Sequence, residues 1–71
     1  MNNDRTKILG FNIKVERMRR NLTQFKLAEM SNVSVDSIKK IETGKQTPSA
    51  LILYDIAKAL NVNIDVLYKD C

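Results

Sequence analysis

The sequence feature that most constrains the fold is the stretch SNVSVDSIKKIETGK at residues 31–45. Its apolar residues recur at the spacing of one face of a short helix: Val33, Ile38 and Ile41. Ser34 is a favourable N-cap and Gly44 favours termination, so the pattern predicts a helix from Ser34 through Glu42. A core does not need the polar residues between them, and that face of the helix is therefore available to a partner.

Helical spacing recurs along the rest of the chain, broken by short polar joints, and alternating strand patterns are missing. We predict four further helices: one from near Thr6 to Arg20, one over Gln24–Met30 after an N-cap at Thr23, one over Ala50–Leu60 started by Pro48 and Ser49, and a short one capped by Asn63. The expected fold is all-α, with five short helices in a single domain over residues 1–71 and no internal repeat. The second and third helices, about residues 23–43, form a helix-turn-helix in which Asn32 takes the left-handed conformation of the turn.

Each predicted helix carries apolar residues that we expect to face the core. On the first helix the stripe consists of Ile8, Phe11, Val15 and Met18, closed by Leu22. The stripes of the second, fourth and fifth helices are Leu27 with Ala28, then Leu53, Ile56, Ala57 and Leu60, then Ile64 with Leu67. Gly10 lies inside the first predicted helix, although glycine lowers helix propensity.

The residue types that the chain lacks exclude several classes of function. There is no His, and the single Cys is Cys71, the last residue. An internal disulfide, a cysteine metal cluster and the commonest catalytic base are therefore excluded. We expect no enzyme, no metal or cofactor and no small-molecule ligand. No apolar run approaches the roughly 20 residues that span a bilayer, and no signal peptide is evident, so we expect a cytoplasmic protein without a membrane partner.

Charge is distributed unevenly along the chain. Through Lys45 there are ten basic and five acidic residues, whereas from Gln46 onwards there are two basic and three acidic ones. A basic potential confined to the first two-thirds favours an anionic partner there, such as nucleic acid. Ordinary solubilising charge remains the alternative on composition alone.

Residues 22–49, LTQFKLAEMSNVSVDSIKKIETGKQTPS, and residues 56–62, IAKALNV, carry a specific pattern that includes the joint E-x-G-K-x-x-P-S. They closely resemble the Cro and phage-repressor (XRE-type) helix-turn-helix DNA-binding family, and the resemblance covers about residues 8–68. It implies a lambda-repressor-like domain whose third helix enters the major groove of DNA. It also implies a structural ion pair between Arg17 and Glu42, for which a phosphate contact by Arg17 is the alternative.

Carried over by position, the resemblance assigns two sets of DNA-contacting residues. The base-contacting set is Ser34, Val35, Asp36, Ser37 and Lys40. The phosphate-contacting set is Gln24, at the start of the second helix, with Lys39, Thr43, Gly44, Lys45 and Gln46 around the end of the third. Lys40 could donate to guanine, and Val35 could contact a thymine methyl group. Asp36 either accepts from a cytosine amine or pairs with Lys40 four residues later.

Two features lie outside this assignment. Phe25 departs from the acidic residue common in the family, and it either packs against the third helix or lies near the DNA. The fourth and fifth helices, about residues 49–68, leave apolar residues outside their core stripes: Leu51, Tyr54, Val66 and Tyr68. Because such clusters often mark interfaces, we predict a homodimer through these helices, with two recognition helices about 34 Å apart.

The function expected from these features is a sequence-specific regulator of transcription that binds double-stranded DNA. A two-fold dimer would recognise a pseudo-palindromic operator, and repression is the expected direction of control. The alternative is an antitoxin or another helix-turn-helix module, in which the exposed apolar helices bind a protein partner.

Overall fold

The chain folds into five α-helices, and the computed structural model describes residues 4–71. The helices are α1 (Asp4–Arg19), α2 (Gln24–Ser31), α3 (Val35–Glu42), α4 (Ala50–Leu60) and α5 (Ile64–Leu67). No strand occurs between residues 4 and 71, so the predicted all-α class is confirmed. In that same range, no helix has both the length and the apolar character needed to cross a membrane.

The face of α1 that packs against the core differs from the predicted stripe. Phe11 and Met18 expose 61% and 57% of their surface, while Ile8 and Val15 are half-buried. The buried residues of this helix are instead Leu9, Gly10, Ile13, Glu16 and Arg17. The prediction that the stripe of Ile8, Phe11, Val15 and Met18 faces the core was therefore wrong.

The reason is that α1 carries apolar residues on two opposite faces. Its orientation is decided by Arg17, whose partner on α3 lies in the interior. Ile13 and Gly10 precede Arg17 by four and seven residues, so all three share one side of the helix. Phe11, Val15 and Met18 lie on the other side and form an outer apolar stripe on α1.

Gly10 allows α1 to approach the end of α3 closely. A Cβ atom built on this glycine would overlap the carbonyl oxygen of Ile41 and lie 3.0 Å from that of Glu42. Both oxygens belong to the backbone, so rotation of a side chain cannot relieve the overlap. The crossing requires glycine here, despite its cost of about 1 kcal/mol in helix propensity.

The core stripes predicted for the other helices are confirmed with small changes. The fully buried or nearly buried residues are Leu27 and Ala28 on α2, Ile38 and Ile41 on α3, Leu53, Ile56, Ala57 and Leu60 on α4, and Leu67 on α5. Leu22, Val33 and Ile64 pack at the edge of this cluster and remain half-buried. The result is a core of aliphatic side chains from all five helices.

The α2–turn–α3 segment, here the first unit (residues 24–42), is defined by its caps. The Thr23 side chain accepts a hydrogen bond from the Lys26 N–H at 2.9 Å, and that of Ser34 accepts from the Ser37 N–H at 3.1 Å. Asn32 lies between the helices at φ 58° and ψ 37°, the left-handed conformation predicted for it. The Val33 N–H then donates back to the Ala28 carbonyl at 3.0 Å and closes the turn.

The α4–turn–α5 segment, here the second unit (residues 50–67), repeats that turn 29 positions later. Asn61 has φ 58° and ψ 45°, and the Val62 N–H donates to the Ala57 carbonyl at 3.1 Å. The sequences LAEMSNVSVDSIKK at 27–40 and IAKALNVNIDVLYK at 56–69 share Ala, Asn, Val, Asp and Lys at the same places. The likeness covers only five of the 14 aligned positions, and Ala, Asn and Val among them are the residues that form the turn.

The two units differ at the start of their second helix. Asn63 occupies the N-cap position of α5 with an extended backbone, as predicted, but its side chain makes no capping hydrogen bond. α5 is also only four residues long, whereas α3 has eight.

Candidate nucleic-acid interface

A buried ion pair holds the end of α3 against α1. Arg17 Nε donates to Glu42 Oε2 at 2.7 Å and Arg17 Nη2 donates to Glu42 Oε1 at 3.1 Å. The side chains are only 11% and 2% exposed. Arg17 Nη1 also donates to the Leu22 carbonyl at 2.6 Å, so all three nitrogens of the guanidinium donate within the fold. The ion pair implied by the resemblance is thus present, and it uses Arg17 within the fold.

Gln24 joins the same carboxylate from the start of α2. Its Nε2 donates to Glu42 Oε1 at 3.1 Å, so side chains of α1 and α2 meet on one carboxylate of α3. We call Arg17, Gln24 and Glu42 the clasp. Removing one partner of a buried charge pair costs about 3–5 kcal/mol, because the other charge is left without compensation. The clasp therefore fixes the orientation of α3 relative to α1 and α2.

The opposite side of α3 carries a second, exposed ion pair. Lys40 Nζ lies 3.1 Å from Asp36 Oδ2, with side chains 53% and 72% exposed. Solvent and salt screen a pair at this exposure, so its contribution to stability is small. Asp36 thus pairs with Lys40, as one of the two predicted alternatives describes. A contact from either group to a base would require this pair to open.

The residues predicted to contact bases lie at the N-cap and along α3, with Asp36 and Lys40 opposite the core and Val35 and Ser37 on the flanks. Ser34, Asp36 and Lys40 are exposed, and Val35 and Ser37 are half-buried. Ile38 and Ile41 are buried on the other side of the helix. The structure therefore presents a mixed face with one ammonium, one carboxylate, two hydroxyls and one apolar side chain.

The residues predicted to contact phosphates lie at the start of α2 and around the end of α3. Several of their donors are used within the fold: Thr43 Oγ1 donates to the Lys39 carbonyl at 3.0 Å, and the Gly44 N–H donates to the Ile41 carbonyl at 3.1 Å. The N–H groups of Lys45 and Gln46 both donate to the Lys40 carbonyl, at 2.8 and 3.2 Å. Lys39 and Lys45 are exposed.

Phe25 lies near the start of α3, outside the core. It is 70% exposed, which excludes close packing against α3. It borders an open groove of about 400 Å³ that also has Ala28, Val33 and Val35 among its lining residues. The sequence signal for this position was its departure from the family pattern.

The four residues predicted for dimerisation are all exposed, from 77% for Leu51 to 40% for Val66. They do not line one groove: Tyr54 borders the start of α5, and Tyr68 lies near Thr47 and Cys71. Val66 shares a groove with Phe11 and Val15, two residues that the sequence had placed in the core. The position of Phe11 and Val15 outside the core could have been predicted from Arg17, because the buried stripe of α1 must lie on the same face as the buried ion pair.

These elements define a class. Two short helices joined by a tight turn, with the second held from behind and displaying a polar, partly basic face, form a helix-turn-helix domain. The sequence profile of the helix-turn-helix family matches residues 13–67. The chain belongs to that family, of the Cro and phage-repressor (XRE) type.

Two proteins with similar sequences are named as transcriptional regulators. A transcriptional regulator in the ATPase CF(0) region of Rhodospirillum rubrum, itself uncharacterised, is 42% identical over 62 residues, which are 87% of this chain and 57% of that protein. An uncharacterised HTH-type transcriptional regulator of Mycobacterium tuberculosis is 41% identical over 59 residues, which are 83% of this chain and 42% of that protein. The chain thus spans about half the length of these two relatives.

The fold is shared with a solved structure. The restriction-modification controller protein C.AhdI from Aeromonas hydrophila matches with a TM-score of 0.86 at 22% identity. The match covers 87% of this chain and 94% of that one, so the two chains share their overall fold.

Proposed function

We propose that this chain binds double-stranded DNA sequence-specifically as a regulator of transcription, with α3 in the major groove. The observation that carries the proposal is the contrast between the two sides of α3. One side is fixed by the clasp, while the other presents Asp36, Lys40 and their neighbours to solvent. A recognition helix must be held in one orientation for its side chains to reach base edges. The regulatory names of the relatives agree with this use.

Within this proposal, bases are read by the set on α3: Ser34, Val35, Asp36, Ser37 and Lys40. Lys40 donates to guanine O6 and N7 once it leaves Asp36. Phosphates are contacted by Gln24 at one end and by Lys39 and Lys45 at the other, with Thr43, Gly44 and Gln46 shaping the second contact. Gln24 keeps one amide hydrogen for a phosphate while the other remains on Glu42.

We further propose that the active form is a homodimer through α4 and α5, using Leu51, Tyr54, Val66 and Tyr68. Two-fold symmetry would place two copies of α3 about 34 Å apart on a pseudo-palindromic operator. Bound across a promoter, such a dimer would exclude polymerase, so repression in the cytoplasm is the proposed outcome.

Selection of bound duplexes from random DNA tests the proposed reading, with wild type, Lys40→Ala and Gln24→Ala compared. Lys40→Ala is expected to relax the preference at one position per half-site, whereas Gln24→Ala should weaken binding to all sequences alike. Lys58→Ala on α4 is the matched control and should change neither. If neither Lys40→Ala nor Gln24→Ala alters binding, α3 does not present the reading face.

Sedimentation equilibrium tests the dimer. Wild type is expected to be dimeric at micromolar concentration, and Leu51→Glu should shift it towards monomer because a charge would be buried in the interface. Met30→Glu, at an exposed apolar residue of α2, is the control and should leave the dimer intact. A wild-type monomer at high micromolar concentration would rule the dimer out.

The outer apolar stripe of α1 favours one second candidate, a module that binds a protein partner. Phe11, Val15 and Val66 line a groove of about 640 Å³ between α1 and α5. The measurement that would favour this candidate is a stable heterodimer that Phe11→Ser abolishes, together with no preferred duplex in the DNA selection.

A further inference from the structure

We infer that Phe25 on α2 and Val35 on α3 together contact the 5-methyl group of a thymine, which makes Phe25 a specificity-determining residue outside the recognition helix. The inference rests on the proposed function, because it needs α3 in the major groove. It assigns a role to the exposed aromatic side chain that the fold leaves unused.

Phe25 and Val35 border the same groove between α2 and the start of α3. The other apolar residues in its wall are Ala28 and Val33, and the polar residues Glu29, Asn32 and Ser34 complete the lining. Phe25 is 70% exposed and Val35 is half-buried, so both retain apolar surface that the protein does not cover. The groove holds about 400 Å³ and is open to solvent, ample for a methyl group projecting from a base edge.

The surroundings of the groove point to DNA and not to an apolar protein surface. Glu29, which lines the groove, pairs with Lys26 on α2 at 3.1 Å, and Asp36, the neighbour of Val35 in the chain, pairs with Lys40 on α3. An apolar protein surface docked here would have to desolvate these charges. In the major groove, base edges display donors, acceptors and one apolar group, which is the C5-methyl of thymine. An apolar wall next to the reading face of α3 therefore has one complementary base feature.

The test removes the methyl group and nothing else. Duplexes obtained by the selection are resynthesised with each thymine replaced in turn by deoxyuridine, which has the same hydrogen-bonding edge. For wild type, replacement at one position per half-site is expected to weaken binding about fourfold, the effect of one methyl group withdrawn from water contact. In Phe25→Ala the same replacement should change binding less than about twofold, because part of the wall is already missing.

Two further variants complete the experiment. Phe25→Leu keeps an apolar wall and should restore most of the sensitivity to deoxyuridine. Met30→Ala removes an exposed apolar side chain from the other end of α2 and should leave the fourfold effect unchanged. Because Phe25 is largely exposed, thermal unfolding of Phe25→Ala should match wild type, which separates the effect from misfolding.

Three outcomes would overturn the inference. If no thymine is sensitive to deoxyuridine, no methyl group is read. If Phe25→Ala weakens thymine and deoxyuridine duplexes equally, Phe25 contacts the sugar or backbone instead. Both results leave the proposed DNA-binding function standing. A selection that returns no preferred duplex overturns the function and the inference together.

Discussion

The first and second units have the same turn but different second helices. In each, an Asn at positive φ ends one helix and a Val N–H returns to an Ala carbonyl. The first unit continues into eight residues of α3, with a capping bond from Ser34, while the second has four residues of α5 and no such bond. Both units also carry an Asp followed four residues later by a Lys, but only the first unit forms an ion pair between them. In residues 4–71 the pair Asp36–Lys40 forms, whereas α5 ends at Leu67 before Lys69 can pair with Asp65.

α1 supports both units, but by different chemistry. Arg17 holds the end of α3 through a buried charge pair. Asn12, from the same helix, donates through Nδ2 to the carbonyls of Leu67 and Lys69 at 2.9 and 2.7 Å. A charged, buried bond is worth more than a neutral, partly exposed one. The unit proposed to read DNA is thus held more firmly than the one proposed to pair with a second copy.

The largest expected effect comes from breaking the support of the first unit. Glu42→Gln keeps the shape of the side chain but leaves the buried Arg17 charge uncompensated, so stability should fall by about 3–5 kcal/mol. Urea unfolding followed by circular dichroism measures it. Glu29→Gln, which removes an exposed acid paired with Lys26, is the control and should stay within about 0.5 kcal/mol. Equal losses in the two variants would mean that the clasp does not fix α3.

Breaking the support of the second unit should cost less. Asn12→Ala leaves the carbonyls of Leu67 and Lys69 without this donor, and water can replace it in part, so a loss of about 1–2 kcal/mol is expected. In this variant, amide hydrogen exchange should accelerate more in α5 than in α3. Lys14→Ala, an exposed position on the same helix, should change neither quantity. Equal acceleration of α3 would contradict separate support of the two units.

The caps offer a smaller and direct comparison of the units. Ser34→Ala removes a capping bond and should cost about 1 kcal/mol. Asn63→Ala, at the matching position 29 residues later, should cost less than about 0.5 kcal/mol because no such bond exists there. Thermal melts of the two variants side by side would measure the difference. A larger loss for Asn63→Ala would show that α5 is capped in solution.

The smallest effect is expected at the exposed pair on α3. Asp36→Asn should lower stability by about 0.5 kcal/mol or less in dilute buffer, since both side chains are more than half exposed. In 1 M salt the difference should largely vanish, because the Debye length falls to about 3 Å. Asp65→Asn, the matching change in the second unit, should show a weaker salt dependence. A salt-independent loss at Asp36 would indicate a role other than pairing.

Helix type and most boundaries were predictable because they depend on local chemistry. Thr23, Ser34 and Asn32 take their predicted roles since capping and left-handed turns are set by residues within four positions. The buried face of α1 was not predictable from spacing, because α1 has two apolar stripes with helical spacing. Which stripe is buried depends on the ion pair of Arg17 with Glu42, which is distant in the sequence. The bond from Gln24 to Glu42 and the exposure of Phe25 depend on how α2 and α3 cross, which no local pattern encodes.

The clasp also separates events in time. The turn bonds join residues five positions apart, so each unit can close locally within microseconds. Arg17 and Glu42 lie 25 positions apart, and their bond can form only after α1 has docked on the end of α3. A chain that has folded its turns but not this bond would have every helix and no reading face. Competence to bind DNA should therefore appear only once this bond has formed.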